Sequence, residues 1–172
     1  MLGLKRGVLA FSEYDSNWPV IFQQEKERLM KELKEAVIGI EHKGSTSVEG
    51  LFSKPIIDIA IAFQGKENLQ TIIEKLEMCG YTYKGMHDSK VHWYFVLYEG
   101  DITLFHIHAW ELPSEYYEKH ILFRDNLRKY DFLRDEYAAL KRKLAEETGW
   151  NRAEYTPAKG EFVERVINYQ HK

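Results

Sequence analysis

The sequence predicts an α+β protein: a mixed β-sheet of four to five strands with flanking helices, followed by a C-terminal segment of three helices. Two observations predict it. Short β-branched or alternating apolar runs, bounded by turn residues, are confined to positions 1–112. From Ser114 onward the apolar spacing is almost wholly helical. Pro, Gly and Ser never cluster long enough to form a linker. The chain is therefore expected to be one domain, 1–172, with an α/β half over 1–112 and a helical half over 113–172.

The first helix is expected to start at Asp15 or Ser16 and to run to about Glu35, with Pro19 in its first turn. Proline is tolerated there because the amide it lacks would have no intrahelical partner. Val37–Ile40 has strand character, and the small, polar stretch Gly44–Ser53 opens into a second strand over Ile56–Ile61. Leu69, Ile72, Ile73 and Leu76 give the segment Lys66–Cys79 a helical stripe, closed by Gly80 at C′. Two more strands, Val91–Tyr98 and Ile102–Trp110, flank the turn Glu99-Gly100-Asp101. Ser114 is a good N-cap, with Glu115 and Glu118 in the first turns favouring the helix dipole. A break near Tyr130–Asp131 divides this helix from one running to Thr148 and stopped by Gly149, and a last helix follows Pro157.

At 172 residues, with 44% apolar and 30% charged residues, the chain can bury a full core as a globular protein. A net charge of −3, with no basic tail, gives no pull toward nucleic acid or an anionic membrane surface. Nonspecific nucleic-acid binding is not expected. The single cysteine, Cys79, permits no intrachain disulfide, which fits a reducing compartment. No apolar stretch approaches the roughly 20 residues that span a bilayer, and the N-terminus lacks a signal core. The expected location is cytoplasmic.

Three groups of residues carry candidate chemistry. Gly44-Ser45-Thr46-Ser47 follows one strand and leads to the next. Glycine lets backbone amides approach a ligand, hydroxyls add donors, and Lys54 stands near, so the set suits a phosphate. It would equally serve as a polar turn capping a helix. Asp58 lies inside an otherwise apolar strand, on a face with Ile56, Ala60 and Ala62. A carboxylate there must be paired, hydrogen-bonded or metal-bound. His106 and His108, two apart on a strand, share a face with Leu104 and Trp110. Two imidazoles and a carboxylate can hold a divalent metal (magnesium, manganese or zinc) or supply a general base and its orienter. They are also consistent with half-buried structural histidines. His42 leads directly into the loop, whereas His87, His92 and His120 have no comparable setting. Arg124 and Arg128, one turn apart, and Lys159, near a helix start, could reach a phosphate or form ordinary surface pairs. The mixed-charge stretch Asp135–Glu147 has the pattern of a solvated helix face.

The segments IEHKGSTSVEGLFSKPIIDI, FHIHAW, LFRDNLRKYDFLRDEYAALKRKLA and YTPAKGEFV, in that order, resemble the GrpB family over roughly residues 10–170. These are small bacterial proteins, also found fused to some dephospho-coenzyme A kinases. The resemblance implies a nucleotidyltransferase-like (polymerase beta-like) fold. It matches Gly44 and Ser45 to the Gly-Ser corner that holds a triphosphate, and Asp58 to the first metal-binding carboxylate. The second carboxylate position is Ala60, and His106 and His108 stand where a third acid is expected. A two-metal mechanism needs carboxylates to neutralise and bridge its cations.

Three functions are thus expected in order. The first is a metal-assisted transferase acting on a nucleotide or another phosphorylated small molecule. There Gly44–Ser47, Lys54, His42, Arg124 and Lys159 would bind phosphate, and Asp58, His106 and His108 would hold metal or act as base. The second is a non-catalytic nucleotide- or coenzyme A-type binding module. The third is a metal-dependent phosphoester hydrolase.

Overall fold

The computed structural model describes residues 2–87, 92–147 and 159–169. In chain order the elements are β1 (Leu4–Lys5), α1 (Trp18–Leu33), β2 (Gly39–Lys43), β3 (Ile57–Phe63), α2 (Glu67–Met78), β4 (Thr82–His87), β5 (His92–Glu99), β6 (Ile102–Glu111), α3 (Glu115–Lys129), α4 (Asp131–Glu147) and α5 (Gly160–Ile167). Short 3₁₀ turns occupy Lys34–Ala36 and Ser45–Ser47. The fold is α+β, as expected. The expected helix stop at Thr148–Gly149 and the segment Tyr155–Ala158 lie outside the described residues.

Among the described residues the sheet has five strands in the order β2-β3-β6-β5-β4, with the two-residue β1 pairing with β6 as a sixth. β3 and β6 run parallel and every other pair is antiparallel. β4 escaped the pattern because Gly85 interrupts it and the register with β5 shifts between Tyr83 and Met86. β1 is too short to show alternation. β2 begins and ends later than its apolar run, so His42 lies in the strand and not in the loop.

Direct cross-strand partners share a face, so the register sorts the sheet into two chemistries. One face carries Ile40, Ile57, Ile59, Ile61, Phe95 and Ile107, buried under α1 and α2 through Trp18, Phe22, Leu29, Ile72 and Leu76. The opposite face is polar. Lys43 pairs with Asp58 and Asp58 with His106, while Glu41 pairs with Ala60, Ala60 with His108, and His108 with Tyr94. The C-terminal helices pack beside this polar face around their own apolar cluster, Leu127, Leu133, Tyr137 and Val166, which also takes in Val48 and Leu51. Two cores therefore meet at the segment between β2 and β3.

Arg124 of α3 is the bolt between the halves. It is buried, and Nη1 donates to Glu41 Oε2 (2.8 Å) and to the His42 carbonyl (2.9 Å), while Nε donates to Asp125 Oδ1 (2.8 Å). One turn on, Arg128 Nε donates to the Ser47 carbonyl at 2.9 Å. Arg124 thus ties α3 to β2 from a buried position, and the exposed Arg128 ties it to the turn that follows.

Candidate functional site

The site grows from the turn after β2. Gly44 adopts φ +71°, and a Cβ at that position would lie 2.6 Å from Asp58 Oδ2. A side chain is excluded both by backbone conformation and by the close approach of the next strand. The turn is then locked by its own hydroxyls. Ser47 Oγ donates to the Gly44 carbonyl (2.6 Å), and Thr46 Oγ1 donates to the Ile56 carbonyl (3.4 Å) and meets His42 Nε2 (3.1 Å). Thr46 and Ser47 are both buried. Of the four residues, Gly44 and Ser45 are the ones that line the larger cavity at this corner.

That cavity, of about 400 Å³, is bounded below by Lys43, Gly44, Ser45 and Asp58. Tyr116, His120 and Phe123 of α3, Tyr137 of α4 and Lys159 close it from the helical side. A smaller chamber of about 140 Å³ adjoins it, sharing Ser45, Asp58 and Lys159 and adding Thr46, Lys54 and Lys141. Asp58, Ser45 and Lys159 are thus the partition between two spaces.

Asp58 is the electrostatic centre. Burial pushes its carboxyl up, but the hydrogen bond from His106 and the nearby His108 imidazole, reinforced by the Lys43 charge, outweigh that and hold it well below the usual range. The carboxylate is ionised, so the N–H of His106 Nδ1 is the donor to Oδ1, at 3.1 Å. His108 Nε2 lies 3.9 Å from the same oxygen, and its Nδ1 meets His92 Nε2 at 2.9 Å. Burial, then the Lys43 charge, keep the His108 ring neutral. Burial likewise brings the Lys43 and Lys159 ammonium groups down to about 8, the carboxylate of Asp58 opposing the shift in both. Lys43 also lies 5.2 Å from the Trp110 ring centroid.

Asp58, His106 and His108 therefore come together, with Gly44, Ser45, Lys54 and Lys159 around them. Two expected members stand elsewhere. His42 points to the apolar face, stacked on Phe22 with ring centroids 4.6 Å apart, because strand alternation separates it from Lys43. Arg124 is committed to Glu41, Asp125 and the His42 carbonyl.

Three contributors were not singled out by sequence. Lys43 follows a buried histidine in the chain, and its cross-strand pairing with Asp58 is invisible without the register. His92 needed the β5–β6 pairing. Lys141 belongs to the expected solvated face of α4, but it is only 2% exposed and donates to the Phe52 carbonyl.

The donor set does not fit the metal chemistry of a two-metal site. Ala60 is fully buried where a second carboxylate would be needed, and lysines, not acids, crowd the one aspartate. The imidazoles are turned onto the carboxylate oxygen itself. Among the described residues no group of three His, Cys, Asp or Glu side chains is arranged to hold a metal ion.

A sequence model of the family described as "GrpB protein" matches residues 9–169. UPF0157 protein BH1888 of Halalkalibacterium halodurans is 33% identical over 156 residues, covering 90% of this chain and 78% of that protein. The crystal structure of conserved protein GrpB from Enterococcus faecalis superposes with a TM-score of 0.82 at 28% identity, covering 92% of this chain and 94% of that one. The Cid1 poly(U) polymerase, in a structure bound to MgGTP, superposes with a TM-score of 0.55 at 14% identity. That match covers 78% of this chain and 44% of the polymerase, and it shows a nucleotidyltransferase-like fold.

Proposed function

The chain belongs to the GrpB family, and on that premise we propose that it binds a phosphorylated small molecule, of the nucleotide class, without requiring a metal ion. One observation carries this reading: Lys43 and Lys159 line the cavity beside the Gly44–Ser45 corner, with Asp58 hydrogen-bonded by His106. Fixed cations in a partly dry cavity replace the countercharge that a divalent ion would otherwise supply to phosphate oxygens. The apolar and aromatic wall from Tyr116, Phe123, Tyr137, Val163 and Ile167 suits the uncharged part of such a ligand. The polymerase that shares the fold was captured with a guanine nucleotide, which supports the ligand class.

The test is calorimetric titration of ADP and ATP, once with chelator and once with magnesium. Binding in chelator, weakened by Lys159→Met, is the expected result. Binding that appears with magnesium alone would sink the reading.

A transferase reading is favoured by the 3.1 Å contact of His106 with Asp58, which gives a carboxylate and an imidazole paired as an acid–base couple. It predicts turnover of a labelled nucleotide, abolished by His106→Ala on folded protein. A hydrolase would instead release phosphate without any acceptor.

A further inference from the structure

The smaller chamber has a composition that the larger cavity does not explain. Its described lining brings three lysines, Lys54, Lys141 and Lys159, into about 140 Å³ with one carboxylate, Asp58. Lys141 is the most informative. It sits in the middle of α4 at 2% exposure, and burying an ammonium there is costly unless something compensates it. Phe52 supplies one carbonyl acceptor, and the Tyr137 ring centroid lies 5.0 Å from Nζ. An ammonium has three N–H donors, so a single carbonyl is thin compensation. Burial holds Lys141 well below its ordinary value, and the charges of Lys159, Arg142 and Lys54 push the same way. An anion placed among these three amines would favour the protonated form of each of them.

The chamber's size and position define that anion. It shares Ser45, Asp58 and Lys159 with the larger cavity, so a group bound in one lies next to a group bound in the other. At roughly 30 Å³ per liquid water, 140 Å³ holds about four or five waters, enough for a phosphoryl group.

We propose that this chamber is a second phosphate subsite built by Lys54 and Lys141, which makes the protein selective for condensed phosphates, diphosphate or longer, over monophosphates. The inference rests on the reading above, in which the first phosphate lies at Gly44 and Ser45. Two phosphoryl groups joined through one bridging oxygen would straddle the Ser45–Asp58–Lys159 partition. A monophosphate would engage one side of it.

The experiment is calorimetric titration of phosphate, pyrophosphate, AMP and ADP in chelator. It is run on the full chain and on the variants Lys54→Met and Lys141→Met. Two added charge-assisted contacts are expected to favour pyrophosphate over phosphate, and ADP over AMP, by about tenfold or more. Each variant is expected to reduce that preference to about twofold. Lys54 is only partly buried, so its variant tests the chamber even if Lys141→Met unfolds. A wild-type protein without the preference, or folded variants that keep it, would overturn the proposal. If pyrophosphate shows the lysine-dependent preference but neither nucleotide binds, the subsite stands and the nucleotide reading falls. If ADP and AMP bind equally, the nucleotide reading stands and the subsite falls.

Discussion

Lys43 and Asp58 are direct cross-strand partners on β2 and β3, so an ammonium and a carboxylate leave the same face of the sheet side by side. Each limits the other's titration: the lysine helps keep Asp58 ionised, and the aspartate opposes the loss of the lysine proton. Gly44, the next residue, brings the chain so close to Asp58 that no side chain fits between them. Pair and turn behave as one unit, and the fold places that unit where the helical half closes over the sheet.

Gly44→Ala should strike this unit directly. The left-handed backbone at φ +71° costs a non-glycine residue energy, and the new methyl would collide with the Asp58 carboxylate at 2.6 Å. We expect a loss of about 1–3 kcal/mol in denaturant unfolding, together with weakened nucleotide binding. Wild-type stability and affinity in the folded variant would show that Asp58 moves freely, contrary to its hydrogen bonds.

Arg124→Ala should destabilise the protein through geometry more than charge. Glu41 and Asp125 are partly exposed and regain water when the guanidinium goes, but the His42 carbonyl loses its side-chain donor in the interior. The expected cost is about 2–3 kcal/mol. Arg124→Lys should recover little of it, because one ammonium cannot serve three acceptors in the fork arrangement. Recovery by lysine to within a few tenths of a kcal/mol in urea melts would refute the clamp.

His42 gives a signature in acid. Burial, then the charges of Arg128 and Arg124, lower its pKa from 6.5 to about 3. A depressed folded value means the unfolded chain takes up the proton first. The stability due to neutral His42 is therefore present above about pH 6.5 and is lost as pH falls toward 3. One such group gives a slope of about 1.4 kcal/mol per pH unit within that window. His42→Phe, which keeps the stacking on Phe22, should make the acid limb shallower by nearly that slope. An unchanged limb would mean that His42 is protonated in the folded state.

The parts of this architecture that were legible in sequence are those set by local pattern. Alternation in β3 and β6 correctly placed Asp58 with Ala60 and His106 with His108, because a period of two needs no knowledge of neighbours. What depends on neighbours was hidden. The end of β2 lies three residues beyond its β-branched run, and that extension carries His42 into a strand and onto the apolar face. Lys141 has the spacing of a surface charge, and its burial comes from the packing of α4 against the segment around Phe52. His92 and Lys43 join the site through strand pairing alone.

Lys43 makes two opposite predictions from one titration. Its folded value, about 8 against 10.5, means that the folded protein gives up the proton first. Stability should therefore rise as pH increases from about 8 to 10.5, since the cost of a buried ammonium is relieved in that window. Anion affinity should fall over the same range, because the neutral amine, and that of Lys159 with the same value, no longer attract phosphate oxygens. Calorimetric titration of pyrophosphate from pH 7 to 10, paired with thermal melts, reads both trends. In Lys43→Met the gain in stability should shrink to the part that Lys159 supplies, and Lys159 likewise keeps part of the loss in affinity. If affinity and stability instead fall together above pH 8, the protein is simply opening in alkali. The lysine-lined cavity would then not be the source of the binding.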